Sequence, residues 1–140
     1  MVRVALGAVA AAGLTWAVRR CVVVTVRGHS MAPTYGDGDR VLALRTAPHR
    51  LVAGDVVVSW LPGLAVDRAR EPRDRPWVIK RVAAVPGDPL PGAPGERVPR
   101  GRLYLVGDNP DGGLDSEDFG LAHTDHVLGR VVRRLPPAPG

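Results

Sequence analysis

The chain has 140 residues, which is enough for one domain with a single modest hydrophobic core. It contains 17 Gly and 14 Pro but only 4% aromatic residues, a composition that favours many short strands and turns over long helices. Cys21 is the only cysteine, which excludes an intrachain disulfide and a cysteine-based metal cluster. The net charge of +5 is compatible with contacts to phosphate groups or to an anionic membrane surface.

The N-terminal segment is apolar: residues 4–18, between Arg3 and Arg19, carry no charge. As a helix they would extend about 22 Å, short of the roughly 30 Å hydrocarbon core of a bilayer, so flanking residues would have to lengthen the span. We predict that residues 1–20 form a hydrophobic anchor, a short transmembrane helix. A cleaved secretory signal and a buried helix of a soluble domain remain as alternatives. Two arginines follow the segment and one precedes it, so the positive-inside rule mildly opposes an exported domain.

The rest of the chain is predicted to be mostly β. Short runs rich in β-branched residues, separated by Gly, Pro and Asp, predict strands. These lie at residues 21–26, 40–44, 56–58, 77–85, 103–106 and 127–132. The charged stretch 62–76 is predicted as an exposed loop and the Pro- and Gly-rich stretch 86–101 as a loop or small lobe. We therefore expect one domain over residues 21–134 and a flexible Pro-rich tail at 135–140.

Lys80 is the only lysine among 19 basic residues; the other 18 are arginines. On a solvated surface the two residues serve almost equally well, but a guanidinium stays protonated and cannot act as a base. Lys80 follows the apolar Val78-Ile79 and precedes Val82 in a predicted strand. An apolar environment disfavours the charged form of an amine, so Lys80 is a candidate for base chemistry that arginine cannot perform.

Ser30 is the candidate nucleophile. It is one of only three serines and follows a predicted strand, in the sequence Gly28-His29-Ser30-Met31-Ala32-Pro33. A strand end beside glycine exposes the hydroxyl and leaves backbone N–H groups free to face a developing oxyanion. A third polar segment, Gly107-Asp108-Asn109 followed by Asp115-Ser116, is predicted to brace the site from behind.

These segments, in this order, resemble the type I signal peptidases of family S26. The serine segment (residues 28–33) matches the family's serine motif, and the lysine segment (residues 80–88) matches its lysine motif. The Gly-Asp-Asn segment (residues 107–109) matches the last motif, which continues to Asp115-Ser116 and Phe119-Gly120. Residues 54–57 are similar to the strand between the first two motifs. The resemblance extends from about residue 21 to residue 132.

The resemblance implies a compact signal-peptidase-like β fold and a Ser/Lys endopeptidase that needs no cofactor or metal. Ser30 would attack the scissile carbonyl, and Lys80, entering neutral, would accept its proton and later pass it to the leaving amine. The N–H of Ser30 would donate to the oxyanion, Gly28 stands where some relatives have a second donor, and Met31 would lie near the substrate pockets. Asp108, Asn109, Asp115 and Ser116 would support the pair.

The resemblance also implies the partners and the location of the protein. The substrates would be exported precursors with a small-x-small cleavage site, and the enzyme would be held in a bacterial plasma membrane with its catalytic domain on the outer face. No nucleic-acid partner is expected. Compact, arginine-rich members are similar to specialised processing peptidases, including those that mature a nickel superoxide dismutase, which implies a narrow substrate range.

Two positions depart from the family pattern. Gly113 stands where many relatives have a serine that orients the lysine, and Glu117 stands where many have an arginine that pairs with the aspartate corresponding to Asp115. We expect Arg81 or another arginine to take over the second role. These departures leave open that the chain is an inactive relative acting as a scaffold.

Other functions fit less well. His29 is adjacent to Ser30, and neighbouring side chains of an extended strand point to opposite faces, which opposes a Ser-His-Asp triad. His123 and His126 lack Cys or Glu partners at metal-ligand spacing. A basic β-barrel that binds nucleic acid remains an alternative, but such a protein would use aromatic stacking platforms, and the chain has few aromatic residues.

Overall fold

The computed structural model describes residues 13–62 and 77–139. Residues 13–20 form a helix, α1. The strands are β1 (Cys21–Thr25), β2 (Arg40–Leu44), β3 (Val56–Trp60), β4 (Trp77–Ala84), β5 (Arg102–Val106), β6 (Ala122–His123) and β7 (Val127–Leu135). A short helix, α2 (Ser116–Phe119), precedes β6, and 3-10 turns occur at Pro48–Arg50 and Thr124–His126.

The strands form one antiparallel sheet in the order β1-β2-β7-β3-β4-β5-β6. The last strand, β7, inserts between β2 and β3 and so joins the N-terminal hairpin to the central strands. The prediction of a mostly β fold is confirmed, and all six predicted strands are present at closely similar positions.

The core covers both faces of β3. Val56 and Val58 pack on one face with Val26, Met31 and Ile79, whereas Val57 packs on the other face with residues of β4 and β5. Because side chains alternate across a strand, β3 is buried on both sides and its sequence is a continuous apolar run. The same packing holds β4 beside β3, with Lys80 opposite Val57.

Residues 86–101 form a small lobe. Pro89 pairs with Arg97 as an isolated β-bridge, and buried Val98 packs against Tyr104 of β5. The sequence had left open a loop or a small lobe, and the structure has the lobe. Neither α2 nor β6 was predicted, since four and two residues are too short to show a periodic pattern.

Parts of three predictions lie outside the described residues: the first twelve residues of the anchor, nearly all of the 62–76 loop and the final residue of the tail. Within residues 13–62 and 77–139, no helix has the length and apolar character required to span a membrane. The predicted anchor is therefore described only as helix α1 and otherwise stays a prediction. At the C-terminus, β7 runs through Leu135, one residue beyond the predicted end of the domain.

Candidate active site

The serine loop leaves the sheet where β1 ends. Val26 donates to the carbonyl of Asp39 (2.8 Å) and accepts from Gly38 (2.9 Å), which closes the connection between β1 and β2. Gly28 then adopts φ +82°, a conformation that side chains other than glycine rarely tolerate, and its N–H donates to Asp37 Oδ1 (2.8 Å). Met31 directly follows Ser30, and its side chain is only 1% exposed, so it fixes the loop to the core.

Lys80 lies in the middle of β4 and is 3% exposed. Its backbone pairs with Val57 of β3, and its neighbours Ile79 and Val82 are buried. Among the described residues, its Nζ has one ion-pair partner, Asp115 Oδ1 at 3.5 Å.

Ser30 and Lys80 face the same cavity, which has a volume of about 220 Å³. The residues around it come from the end of β1, the serine loop, the start of β4 and the loop before α2: Val24, Thr25, Val26, Arg27, Ser30, Met31, Trp77, Val78, Ile79, Lys80, Gly113 and Leu114. Ser30 and Lys80 are fifty positions apart in the sequence, and the fold brings both of them to one cavity.

Gly113 shows how close the two side chains are. A Cβ built on Gly113 would lie 2.8 Å from Ser30 Cβ and 3.4 Å from Lys80 Nζ, so both side chains lie close to the same position. Across the described part of the chain, no hydrogen bond joins Ser30 Oγ to Lys80 Nζ, and the N–H of Ser30 has no partner. Catalytic hydrogen bonds are often long in the absence of substrate and tighten when it binds, so the missing bond does not exclude the pair.

The Gly-Asp-Asn segment holds the serine loop in place. The N–H of Asn109 donates to the carbonyl of Ser30 (3.0 Å), and its Nδ2 donates to the carbonyl of His29 (2.9 Å). Gly107 passes so near that a Cβ on it would collide with the carbonyl oxygen of Ser30 and approach Lys80 Nζ to 3.3 Å. Gly107 must therefore be glycine because a side chain would clash with the serine loop, and not because its φ is unusual.

Asp108 connects the lysine segment to the serine loop. Arg81 donates to both of its carboxylate oxygens, Nε to Oδ1 at 2.7 Å and Nη2 to Oδ2 at 2.6 Å, and Thr34 Oγ1 donates to Oδ2 at 2.6 Å. The hydrogen bonds from Arg81 lower the pKa of Asp108, against the opposing effect of burial, and the bond from Thr34 lowers it further. The hydrogen bond to Asp108 likewise raises the pKa of Arg81.

Asp115 has a different environment from the one expected. Its Oδ1 accepts the N–H of Gly107 (2.7 Å) and lies beside Lys80 Nζ, and its carboxylate also caps α2. The expectation that Arg81 would pair with Asp115 is wrong, because Arg81 is committed to Asp108. The lysine itself is the cation beside Asp115.

Ser116 is buried, and its Oγ accepts the N–H of Leu105 (2.8 Å), so its hydroxyl ties α2 to β5. His29 is exposed and does not line the cavity of Ser30 and Lys80. The rings of His123 and His126 lie 5.0 Å apart between centroids and are tilted by 50°. No group of three or more metal-ligating side chains occurs within residues 13–62 and 77–139.

The sequence interpretation missed Thr34 and the true role of Arg81. Both donate to Asp108, which lies 74 positions from Thr34 and 27 from Arg81, and Arg81 Nη1 also donates to the carbonyl of Gly54 (2.7 Å). A signal was present for one of them: Arg81 pairs with Val106, so β4 and β5 in register bring it near Asp108. That register cannot be inferred before the strands are paired.

Comparisons with known proteins point to one family. The sequence model of the family described as "Signal peptidase, peptidase S26" matches residues 1–91. The chain is 30% identical over 121 residues to mitochondrial inner membrane protease subunit 1 of Schizosaccharomyces pombe, covering 80% of this chain and 71% of that protein. It is 27% identical over 135 residues to the probable signal peptidase I-1 of Synechocystis, covering 78% and 68%. It is 26% identical over 147 residues to signal peptidase IB of Staphylococcus aureus, covering 81% and 76%.

These matches define the chain as a peptidase. It belongs to the signal peptidase S26 family, and the resemblance inferred from its motifs is confirmed. Its relatives carry the names of both bacterial signal peptidases and mitochondrial inner membrane proteases. The family supports a role in removing leader peptides from precursor proteins.

Proposed function

We propose that the protein is a membrane-bound serine endopeptidase that removes signal or leader peptides after small residues, with Ser30 as nucleophile and Lys80 as base. The observation that supports the proposal most is the shared cavity: the scarce serine of a strand-end loop and the only lysine of the chain line the same 220 Å³ space. An acyl-enzyme intermediate on Ser30 follows from this chemistry.

In the first step Ser30 Oγ attacks the scissile carbonyl carbon while neutral Lys80 Nζ accepts the hydroxyl proton. The Lys80 ammonium then gives that proton to the leaving amine, and the acyl group remains on Ser30. Water, deprotonated by Lys80, hydrolyses the ester and restores the free hydroxyl. An arginine at position 80 could not serve, because a guanidinium does not release its proton at accessible pH.

The N–H of Ser30, which has no partner among the described residues, is one donor to the oxyanion. The N–H of Gly28 is not a second donor, because Asp37 Oδ1 already accepts it at 2.8 Å. Gly28 also lacks the hydroxyl that some relatives have at this position. Another backbone N–H or a water molecule would make the second hydrogen bond.

Asp115 takes the orienting role of the serine that is replaced by Gly113. Its Oδ1 is 3.5 Å from Lys80 Nζ and is held by the N–H of Gly107, so the amine has a fixed partner. Because Asp115 has no arginine partner among the described residues, its charge acts on Lys80 directly.

Cleavage after small residues fits the walls of the cavity. Alternate side chains of an extended peptide point to the same face, so two residues of an A-x-A sequence would enter the cavity together. Val24, Met31, Val78 and Ile79 line it with apolar surface, which suits the methyl groups of such a sequence. The substrates we propose are therefore exported precursors with a small-x-small cleavage site.

We also propose that the apolar N-terminal segment holds the enzyme in a bilayer, with the catalytic domain on the outer face of a bacterial plasma membrane. The charge-free run of residues 4–18 supports an anchor. Two relatives are named as mitochondrial inner membrane proteases, and the bacterial assignment is supported only by the bacterial relatives. Fractionation of cells with antibody detection tests the location.

The test of the dyad is cleavage of a precursor peptide that carries an A-x-A site. Ser30→Ala and Lys80→Ala should each abolish cleavage, and Lys80→Arg should do no better than Lys80→Ala. Ser59→Ala is the matched control, since Ser59 is buried on β3 and lies outside the cavity, and it should keep the activity of the parent. Activity should rise with pH as neutral Lys80 becomes populated.

Three results would contradict the proposal. Cleavage by Lys80→Arg above a few per cent of the parent would exclude the amine as the base. A flat activity profile from pH 6 to pH 9 would exclude it as well. A parent protein that binds precursors and cleaves none of a panel of A-x-A substrates would indicate an inactive relative that acts as a scaffold.

A further inference from the structure

A second cavity, of about 500 Å³, lies at the end of α1, away from Ser30 and Lys80. It is lined by residues from the end of α1, the segment after β2 and strand β7: Arg20, Leu44, Arg45, Thr46, Ala47, His49, Arg50 and Arg130. Four of the eight are arginines and none is acidic. The mechanism proposed above uses none of them.

The cavity is attached rigidly to the N-terminal helix. The N–H of Arg45 donates to the carbonyl of Arg20 (2.9 Å), and Cys21 of β1 pairs with Leu44 of β2. Thr46 Oγ1 donates to the carbonyl of Leu44 (2.8 Å), which shapes the wall beyond the strand. The position of the cavity relative to α1 is therefore set by backbone hydrogen bonds.

The arginines of this cavity have few anionic partners. Arg130 Nη1 lies 3.8 Å from Asp55 Oδ1, and Arg20 lies over the ring of Trp16 at 4.2 Å. Arg45 and Arg50 form no ion pair with any residue that the structure describes. Concentrated positive charge in a concave surface attracts an anion, and the guanidinium matches a phosphate with two parallel hydrogen bonds.

The surface beside the cavity is apolar. Leu14, Trp16 and Val18 of α1 are 68%, 60% and 63% exposed, although such side chains are usually buried. An apolar helix with a tryptophan near its end and arginines directly after it is the pattern found at the boundary between hydrocarbon and headgroups. The phosphate of a lipid at that boundary would lie at the depth of the cavity.

We propose that this cavity binds the phosphate headgroup of an anionic phospholipid and thereby fixes the domain against the bilayer surface. The proposal rests on the membrane placement in the proposed function but not on the Ser30/Lys80 chemistry. Arg45 and Arg50 provide the principal contacts, and Arg20 and Arg130 close the sides.

The test uses the full chain with the Ser30→Ala substitution, purified in a neutral detergent, so that binding is read without any cleavage. Phosphatidylglycerol and phosphatidylcholine are titrated separately and bound lipid is counted by native mass spectrometry. Arg45→Gln/Arg50→Gln is the test variant. Arg100→Gln/Arg133→Gln is the matched control, since it removes the same charge from exposed positions outside the cavity.

We expect phosphatidylglycerol to bind more tightly than phosphatidylcholine. The test variant should weaken phosphatidylglycerol binding by about fivefold for each arginine removed, and the control should leave it within about twofold of the parent. The backbone hydrogen bonds of Arg45 and Arg50 do not involve their side chains, so the unfolding temperature should be preserved. If the double variant is unstable, Arg45→Gln and Arg50→Gln are measured singly.

Equal binding of the two lipids, or equal loss in the test and control variants, would overturn the proposal. A third arm adds inorganic phosphate alone: binding of phosphate that depends on Arg45 and Arg50, without any preference for phosphatidylglycerol, would also overturn it by identifying a soluble anion as the ligand. If the parent protein does not cleave precursors, the Ser30/Lys80 dyad is refuted, but the result for lipid binding still stands.

Discussion

Introducing at Gly113 the serine that many relatives have there should damage this protein, although the same residue orients the lysine in those relatives. Gly113 has φ +102°, which costs a residue with a side chain about 1–2 kcal/mol. Its Cβ would also lie 2.8 Å from Ser30 Cβ, whereas non-bonded carbon atoms prefer about 3.5–4.0 Å. Overpacking of this kind costs a further 1–3 kcal/mol or so. Gly113→Ser should therefore lower the free energy of unfolding by about 2–5 kcal/mol.

Gly95→Ser provides the matched control for Gly113→Ser. Gly95 has φ +85°, but a Cβ on it would meet nothing within 4 Å, so it carries the backbone cost without the contact. The difference between the two variants in urea unfolding therefore measures the clash with Ser30. Because that clash moves the nucleophile itself, kcat for a precursor peptide should fall about tenfold to a hundredfold in Gly113→Ser only. If Gly113→Ser matches Gly95→Ser in stability and keeps the kcat of the parent, the close approach of Gly113 to Ser30 is refuted.

Two further substitutions test the carboxylates. Asp115→Asn removes the charged acceptor 3.5 Å from Lys80 Nζ, so the amine loses the partner that positions it and kcat for a precursor peptide should fall about tenfold to a hundredfold. Asp108→Asn should cost about 1.5–3 kcal/mol of stability at pH 7, because it removes a charged acceptor of Arg81. The folded-state pKa of Asp108 is lowered, so its contribution is present above its ordinary pKa and is lost as pH falls through the folded-state value. The stability difference between Asp108→Asn and the parent should therefore shrink in acid.

Asp125→Asn is the control for both carboxylate tests, since Asp125 is exposed and has no hydrogen bond or ion pair to any residue in the described ranges. It should change neither kcat nor the urea midpoint. An unchanged kcat in Asp115→Asn would mean that this carboxylate does not position Lys80. A stability difference for Asp108→Asn that is the same at pH 7 and at pH 2 would mean that its charge contributes nothing.

The strands were predictable because their signals are local. A run such as Val56-Val57-Val58, bounded by Gly54-Asp55, favours a strand whatever surrounds it, and β3 begins at Val56. The short elements were not predictable for the same reason, since α2 is one turn whose ends are set by the capping interactions of Asp115 and Asp118. The Gly-Asp-Asn segment was predicted only as a polar turn that braces the site, and the structure adds that Asn109 donates to the carbonyls of His29 and Ser30.

The partners of the charged groups depended on tertiary contacts. Both Asp108 and Asp115 were expected near Lys80, but no pattern in the sequence assigns Arg81 to one of them. The choice follows from the strand register, which directs Arg81 and Lys80 to opposite faces of β4. Arg81 consequently reaches Asp108 and Thr34, and Lys80 reaches Asp115.

The sequence by itself determined which groups are available for chemistry, because only one side chain in the chain is an amine and only three are serine hydroxyls. Only the tertiary structure decided which of these groups meet and which glycines must stay glycine. The physical reason is that distance along the chain carries no information about distance in space until strands pair. Gly107 and Gly113 are ordinary loop residues in the sequence, and they prove essential only because the folded chain brings Ser30 and Lys80 against their α-carbons.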